Sequence, residues 1–235
     1  MSSILASVSN LQEALQAEKL NVDIIDLKQP NLGALGALNW GEVKSIVKQL
    51  KPSSLVSATV GDLPMSPEIL LNEVQKMFYT GVDYIKIGFF PEGDWNACLQ
   101  AIIPFAGKDP DLVVVMFADC KPDFNFIPKL AAAGVRGIML DTRDKSHGSL
   151  TEVCSISELK NFIYLSRRAG LLTGLAGSLN ISHLPELLPL NADYLGFRGG
   201  ICHQFDRTSS LDPQKIIEIR QFLVHYNIPE YNQVV

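Results

Sequence analysis

No stretch of this 235-residue chain approaches the ~18 consecutive apolar residues of a membrane-spanning helix, so no membrane partner is expected. Cysteine is sparse. Cys98, Cys120, Cys154 and Cys202 form no C-x-x-C pair. With no signal peptide ahead of them, they read as reduced thiols of a cytoplasmic protein rather than a disulfide framework. The histidines, His147, His183, His203 and His225, lack the i, i+4 spacing that sets two ligands on one helix face, and no metal site is expected. Positive charge is in deficit, 20 Lys and Arg against 25 Asp and Glu, which argues against a nucleic-acid partner. No G-x-G-x-x-G turn follows the first apolar segment, which weakens the case for an open, doubly wound sheet.

What is present points to a large buried core. Hydrophobic residues make up 47% of the chain and charged residues 19%, which excludes disorder. The slightly positive mean hydropathy is high for a monomer and suggests a homo-oligomer. Short runs rich in Val and Ile recur at residues 4–8, 23–28, 54–60, 82–88, 112–118, 135–140, 171–176 and 192–197. Runs of this length and composition read as strands buried on both faces. Helical patterns lie between them at 11–17, 40–50, 66–80, 94–105, 124–133, 155–169 and 181–188, and a last helix spans 213–226 before a loose tail. Ser66-Pro67-Glu68 is a clear helix start, with a capping residue, a first-turn proline and an acid near the positive end. Eight strands alternating with eight helices predict parallel strands and right-handed crossovers. The expected fold is α/β, a (β/α)8 TIM barrel, with residues 1–235 as a single domain. The length is close to the ~250 residues typical of that fold.

The strand exits carry the chemistry. Asp26 and Lys28 are two residues apart at the end of the second strand, hence on one side of it, and Pro30 stops the strand just beyond. Lys86 ends the fourth strand, Asp119 and Lys121 follow the fifth, and Asp141 and Lys145 follow the sixth. In a parallel barrel these ends line one mouth, so the lysines are expected to converge there. Ammonium groups crowded in a partly desolvated mouth lower each other's pKa, and a lysine so tuned attacks a carbonyl to form a Schiff base. The aspartates would orient the lysines or move protons. Gly177-Ser178 and Arg198-Gly199-Gly200 end the seventh and eighth strands, where loops of this fold commonly bind phosphate, although glycines there also serve tight turns. His147 is a lone loop histidine, incidental in most such places.

These segments resemble one family. Asp26-Leu27-Lys28 with Pro30 and Gly33-Ala34-Leu35-Gly36-Ala37 is similar to its opening signature. Tyr84-Ile85-Lys86-Ile87-Gly88, Ala118-Asp119-Cys120-Lys121 and Met139-Leu140-Asp141-Thr142 with Lys145 and Gly148 are similar to its later ones. The family is (5-formylfuran-3-yl)methyl phosphate synthase, of methanofuran and methylofuran biosynthesis, and the likeness runs over essentially the whole chain. The resemblance implies a class I aldolase-like lyase with no cofactor. It would condense two molecules of glyceraldehyde 3-phosphate, with loss of phosphate and water. It further implies Lys28 as the Schiff-base lysine. Asp26, Lys86, Asp141 and Lys145 would serve proton transfer and substrate placement, and Lys121 would bind or shuttle.

The chain departs from the family pattern in having Gln29-Pro30 where Asn-Pro is expected, an uncharged Asn31-Leu32, and Gly200 in place of alanine. These positions lie beside the chemistry, bear on substrate contacts, and suit a bacterial methylotroph's version of the pathway. Two other readings compete: a different phosphosugar aldolase or isomerase on the same barrel, and a non-catalytic barrel that senses a phosphorylated metabolite.

Overall fold

A computed structural model describes residues 2–226. Eight parallel strands close into a barrel in sequence order: β1 (Ser3–Val8), β2 (Ile24–Leu27), β3 (Leu55–Thr59), β4 (Tyr84–Gly88), β5 (Asp111–Phe117), β6 (Gly137–Asp141), β7 (Leu172–Leu175) and β8 (Tyr194–Phe197). The ring closes where β8 pairs with β1, Ser3 against Tyr194 and Ala6 against Phe197. The helices are α1 (Leu11–Lys19), α2 (Trp40–Val47), α3 (Pro67–Phe78), α4 (Trp95–Ile102), α5 (Ile127–Ala132), α6 (Leu150–Val153), α7 (Ile156–Arg168), α8 (Leu184–Leu187) and α9 (Pro213–Tyr226). The tail expected after α9 lies outside the described residues.

The expected (β/α)8 barrel is therefore the observed one, with differences that prolines and caps explain. The helix expected over 124–133 is a 3-10 turn, Phe124–Phe126, running into the short α5, whose first turn holds Pro128. The helix expected over 181–188 is split into 3-10, α and 3-10 pieces around Pro185 and Pro189. A proline lacks the amide that would continue a helical ladder. One turn of helix, α6, was not expected. It is opened by a reciprocal cap in which the Ser149 amide and hydroxyl donate to Glu152, at 2.6 and 2.9 Å.

The period-two alternation of the strands divides the core in two. Outward residues such as Ile4, Ile25, Ile85, Val114, Ile138 and Leu195 pack beneath the helices. Inward residues, among them Leu5, Val113, Val115, Met139 and Tyr194, fill the barrel with Leu35 and Phe90 from its upper loops. The Tyr194 ring occupies the space that any side chain on Gly174 of the neighbouring strand would need. The fill is apolar in the lower barrel and turns polar toward the carboxyl ends of β2, β3, β4 and β6. Asp26, Ser57, Lys86 and Asp141 are all inward and buried there.

Candidate active site

Strand register builds the centre of the mouth. Ser7 of β1 lies opposite Asp26, which lies opposite Ser57 of β3. The fully buried Asp26 carboxylate accepts hydrogen bonds from Ser7 Oγ at 2.8 Å and Ser57 Oγ at 2.7 Å. Lys86 Nζ reaches it across the barrel at 3.0 Å, with both side chains withdrawn from solvent. Burial alone would raise this carboxyl's pKa. The ammonium groups of Lys86 and Lys28 and the two hydroxyls outweigh that and hold it below the usual range, so Asp26 is an anion.

Lys28 lies one residue past the end of β2 and is 6% exposed. Its Nζ donates to the Ala34 carbonyl at 3.3 Å. That carbonyl belongs to a loop pinned from β3's exit, where Asp62 accepts from the amides of Ala34 at 2.8 Å and Leu35 at 2.6 Å. Burial lowers the pKa of the Lys28 ammonium to about 8; Asp141 and Asp26 pull it upward, Lys86 and Lys145 downward.

A second carboxylate–ammonium pair stands at the end of β6. Lys145 Nζ donates to Asp141 Oδ1 at 2.6 Å, to the Thr142 carbonyl at 2.5 Å and to Thr142 Oγ1 at 3.0 Å. Asp141 also accepts from the Thr142 amide at 2.7 Å. Burial pushes its carboxyl pKa up, but Lys145 and Lys28 bring it below the ordinary value. The loop carrying Lys145 is tied down by Asp119, whose two oxygens accept from the amides of Arg143 at 2.7 Å and Asp144 at 2.8 Å.

Lys28, Lys86, Asp141 and Lys145 all line one cavity of about 310 Å³, with Gly177, Ser178, Arg198, Gly199 and Gly200 on its β7–β8 side. Gly200 has the Leu179 carbonyl where a side chain would begin, so any larger residue would need the turn to shift. Asp26 sits beneath the cavity as the partner of Lys86. Of the four strand-exit lysines, three converge and Lys121 does not. After β5 the chain makes a 3-10 turn, Ala118–Cys120, and Lys121 adopts a left-handed conformation that turns it outward. Lys121 is exposed and borders an outer groove with Trp95 and Phe126. His147 is also outside the cavity, 60% exposed and 3.7 Å from Asp119.

Arg198 borders the cavity, but its guanidinium is engaged elsewhere. It pairs with Glu13 at 2.6 Å and donates to the carbonyls of Ser7, Arg207 and Ser209. Asp62 and Arg207 were not singled out from sequence. Both act from loops, and nothing in their local sequence says what they touch. Ser7 and Ser57 did leave a signal, as hydroxyls between apolar residues inside buried strands. Among the described residues, no cluster of three or more His, Cys, Asp or Glu side chains is arranged to hold a metal ion, and no helix is long and apolar enough to cross a membrane.

A closed parallel barrel whose strand ends deliver lysines and carboxylates into one cavity defines an enzyme of the TIM-barrel class. Solved structures agree on the fold. Phosphoribosyl anthranilate isomerase from Thermus thermophilus matches with a TM-score of 0.67 at 16% identity, over 97% of this chain and 100% of its own. 3-Hexulose-6-phosphate synthase from Salmonella typhimurium matches at 0.67 and 21%, over 96% and 100%.

Sequence comparison is more specific. The family model of 4-HFC-P synthase matches residues 4–220, and this chain belongs to that family. The (5-formylfuran-3-yl)methyl phosphate synthase of Methanobrevibacter smithii is 33% identical, over 93% of this chain and 97% of its own. A Methylorubrum extorquens protein bearing the same name in provisional form is 38% identical, over 92% of this chain and 89% of its own.

Proposed function

We propose that the protein condenses two molecules of glyceraldehyde 3-phosphate into (5-formylfuran-3-yl)methyl phosphate, for methanofuran or methylofuran biosynthesis, through a Schiff base on Lys28. The observation that carries this reading is the state of Lys28. It is a buried lysine on the cavity wall with a pKa lowered to about 8, so that far more of it is free amine near neutral pH than for an exposed lysine. Its Nζ adds to the aldehyde carbon, and the carbinolamine oxygen leaves as water. The imine then acidifies the adjacent C–H. Loss of that proton gives an enamine whose carbon attacks the second aldehyde; elimination of phosphate, ring closure with loss of two waters, and hydrolysis of the imine to free Lys28 complete the reaction.

Asp141 and Lys145, joined at 2.6 Å, are the pair suited to move those protons at the rim. Asp26 and Lys86 set the charge beneath them. Gly177, Ser178, Gly199 and Gly200 line the cavity on its β7–β8 side, where their backbone would take a phosphate. Lys121 is left out of this scheme because it faces away from the cavity. The chemistry assigned to these residues calls for no cofactor. The same reading takes the protein as a single-domain cytoplasmic enzyme that works as a homo-oligomer on a small phosphorylated substrate.

Borohydride trapping with glyceraldehyde 3-phosphate, read by intact mass and peptide mapping, tests the proposal. The expected result is one adduct on Lys28. Its rate of formation should rise with pH, pass half-maximum near 8 and level off above that, as the amine becomes fully neutral. A Lys28→Arg variant should form none, since a guanidinium makes no imine under these conditions. Turnover without any trapped adduct would replace the Schiff base with enediol chemistry.

A further inference from the structure

Two arginines border the cavity on its β8 side, and only one has donors to spare. Arg198 is buried and spends its guanidinium on Glu13 and three backbone carbonyls. Arg207 is half-buried, lines the same cavity, and gives one Nη2 hydrogen bond to the Gly33 carbonyl at 2.6 Å. Among the described residues it forms no ion pair with a carboxylate. The Asp141 and Asp62 carboxylates act on it only from beyond ion-pair distance, so most of its N–H donors are left at the cavity wall for an anion to take.

The surroundings specify which anion. The Arg207 backbone passes close over Gly199: a side chain on that glycine would begin 3.8 Å from Arg207 Cβ. The guanidinium therefore extends from beside the glycine turn of the β8 exit, while its bond to Gly33 ties it to the loop after β2. Arg198 fixes this placement from behind, its Nε donating to the Arg207 carbonyl at 2.7 Å. Lys28, Lys86 and Lys145 line the cavity as well, against the single lining carboxylate of Asp141, so the wall is net positive toward an anionic ligand.

We propose that Arg207, and not Arg198, grips the phosphate of the substrate and makes the enzyme select phosphorylated over unphosphorylated aldehydes. Arg198 is then a positioning residue, holding the loop that presents Arg207. This assignment rests on the Schiff-base reading for the aldehyde end of the substrate, and on geometry alone for the phosphate end.

Trapping rates at Lys28 are to be compared for D-glyceraldehyde 3-phosphate and D-glyceraldehyde in the wild type, Arg207→Gln and Arg207→Lys. The wild type should favour the phosphorylated aldehyde. The ratio of the two rates should fall by about 10- to 100-fold in Arg207→Gln, the worth of a charge-assisted hydrogen-bonded pair, and partly recover in Arg207→Lys. A ratio unchanged in Arg207→Gln overturns the assignment. Calorimetric titration with inorganic phosphate gives a readout that needs no imine. Arg207→Gln, with its melting temperature retained, should bind at least about tenfold more weakly than the wild type. Equal affinity, or no binding to the wild type, overturns Arg207 as the phosphate residue. No adduct in the wild type with either aldehyde, alongside weakened phosphate binding in the variant, removes the Schiff base and leaves Arg207 standing.

Discussion

The site contains two aspartate–lysine pairs that are alike in chemistry and opposite in construction. Asp26 and Lys86 are 60 residues apart, come from strands on opposite sides of β3, and meet inside the barrel with 0% and 3% of their side chains exposed. Asp141 and Lys145 are four residues apart, meet at the rim, and leave 5% and 21% exposed. The first pair is held by the closure of the barrel, with two register-matched serines completing the carboxylate's hydrogen bonds. The second is held by one loop and by Asp119 beneath it. A charge fixed by the sheet can shape a field but cannot readily move. A charge on a tethered loop can follow a substrate through several protonation steps. On the proposed mechanism, the comparison suits the interior pair to structure and electrostatics, and the rim pair to proton transfer.

Breaking the interior pair should have the largest effect on folding. Asp26→Asn leaves the Lys86 ammonium buried without its counter-ion, which costs about 3–5 kcal/mol. Urea denaturation should show that loss, and Asp26→Asn combined with Lys86→Met should recover a good part of it, because an apolar side chain needs no partner there. A loss below about 1 kcal/mol for Asp26→Asn would mean that Lys86 reaches water after all, and the contrast between the pairs would collapse.

Breaking the rim pair should have the opposite signature. In Asp141→Asn the Lys145 side chain, already partly exposed, can turn toward solvent, so stability should change by no more than about 1 kcal/mol. The kcat should fall by about 10²- to 10⁴-fold, the usual worth of a positioned general acid or base. The decisive measurement is the pair of numbers, kcat beside unfolding free energy, for each aspartate. A stability loss at Asp141 equal to that at Asp26 would make both pairs structural.

The same division explains what could be read from the sequence. The interior pair was legible because period-two alternation and strand ends are local patterns: a lone Asp in Ile24-Ile25-Asp26-Leu27 must point inward if its neighbours point outward. Barrel closure then brings Lys86 to it. Residues beyond the strand ends were legible only in part. Lys121 follows its strand as closely as Lys145 follows β6, yet a 3-10 turn and a left-handed residue send it outward. Strand position fixes which end of the barrel a residue occupies, but not the direction of the chain after the strand stops. Arg198 lines the cavity as its strand exit predicts, but its guanidinium is engaged by Glu13, 185 residues away in sequence. Arg207, Asp62 and Asp119 act through bonds between loops of different strands, and those exist only once the ring is closed.

The smallest expected effect tests the tether itself. Asp119 is 5% exposed and accepts one backbone amide on each carboxylate oxygen, so Asp119→Asn replaces one acceptor with a donor that faces an N–H. Losing one such bond is worth about 1–2 kcal/mol. Felt through the loop as misplacement of Lys145, that becomes about a tenfold fall in kcat. Lys28 is borne by the end of β2 and should not notice, so its rate of borohydride trapping in the same variant should stay near that of the wild type. On the proposed mechanism the later steps use the rim pair, so the pH profile of kcat should broaden or shift as the Asp141–Lys145 contact loosens. If trapping and kcat fell together, Asp119 would be supporting the barrel mouth as a whole. If trapping held while kcat fell, the loop would be doing the proton transfer and the sheet would be holding the nucleophile.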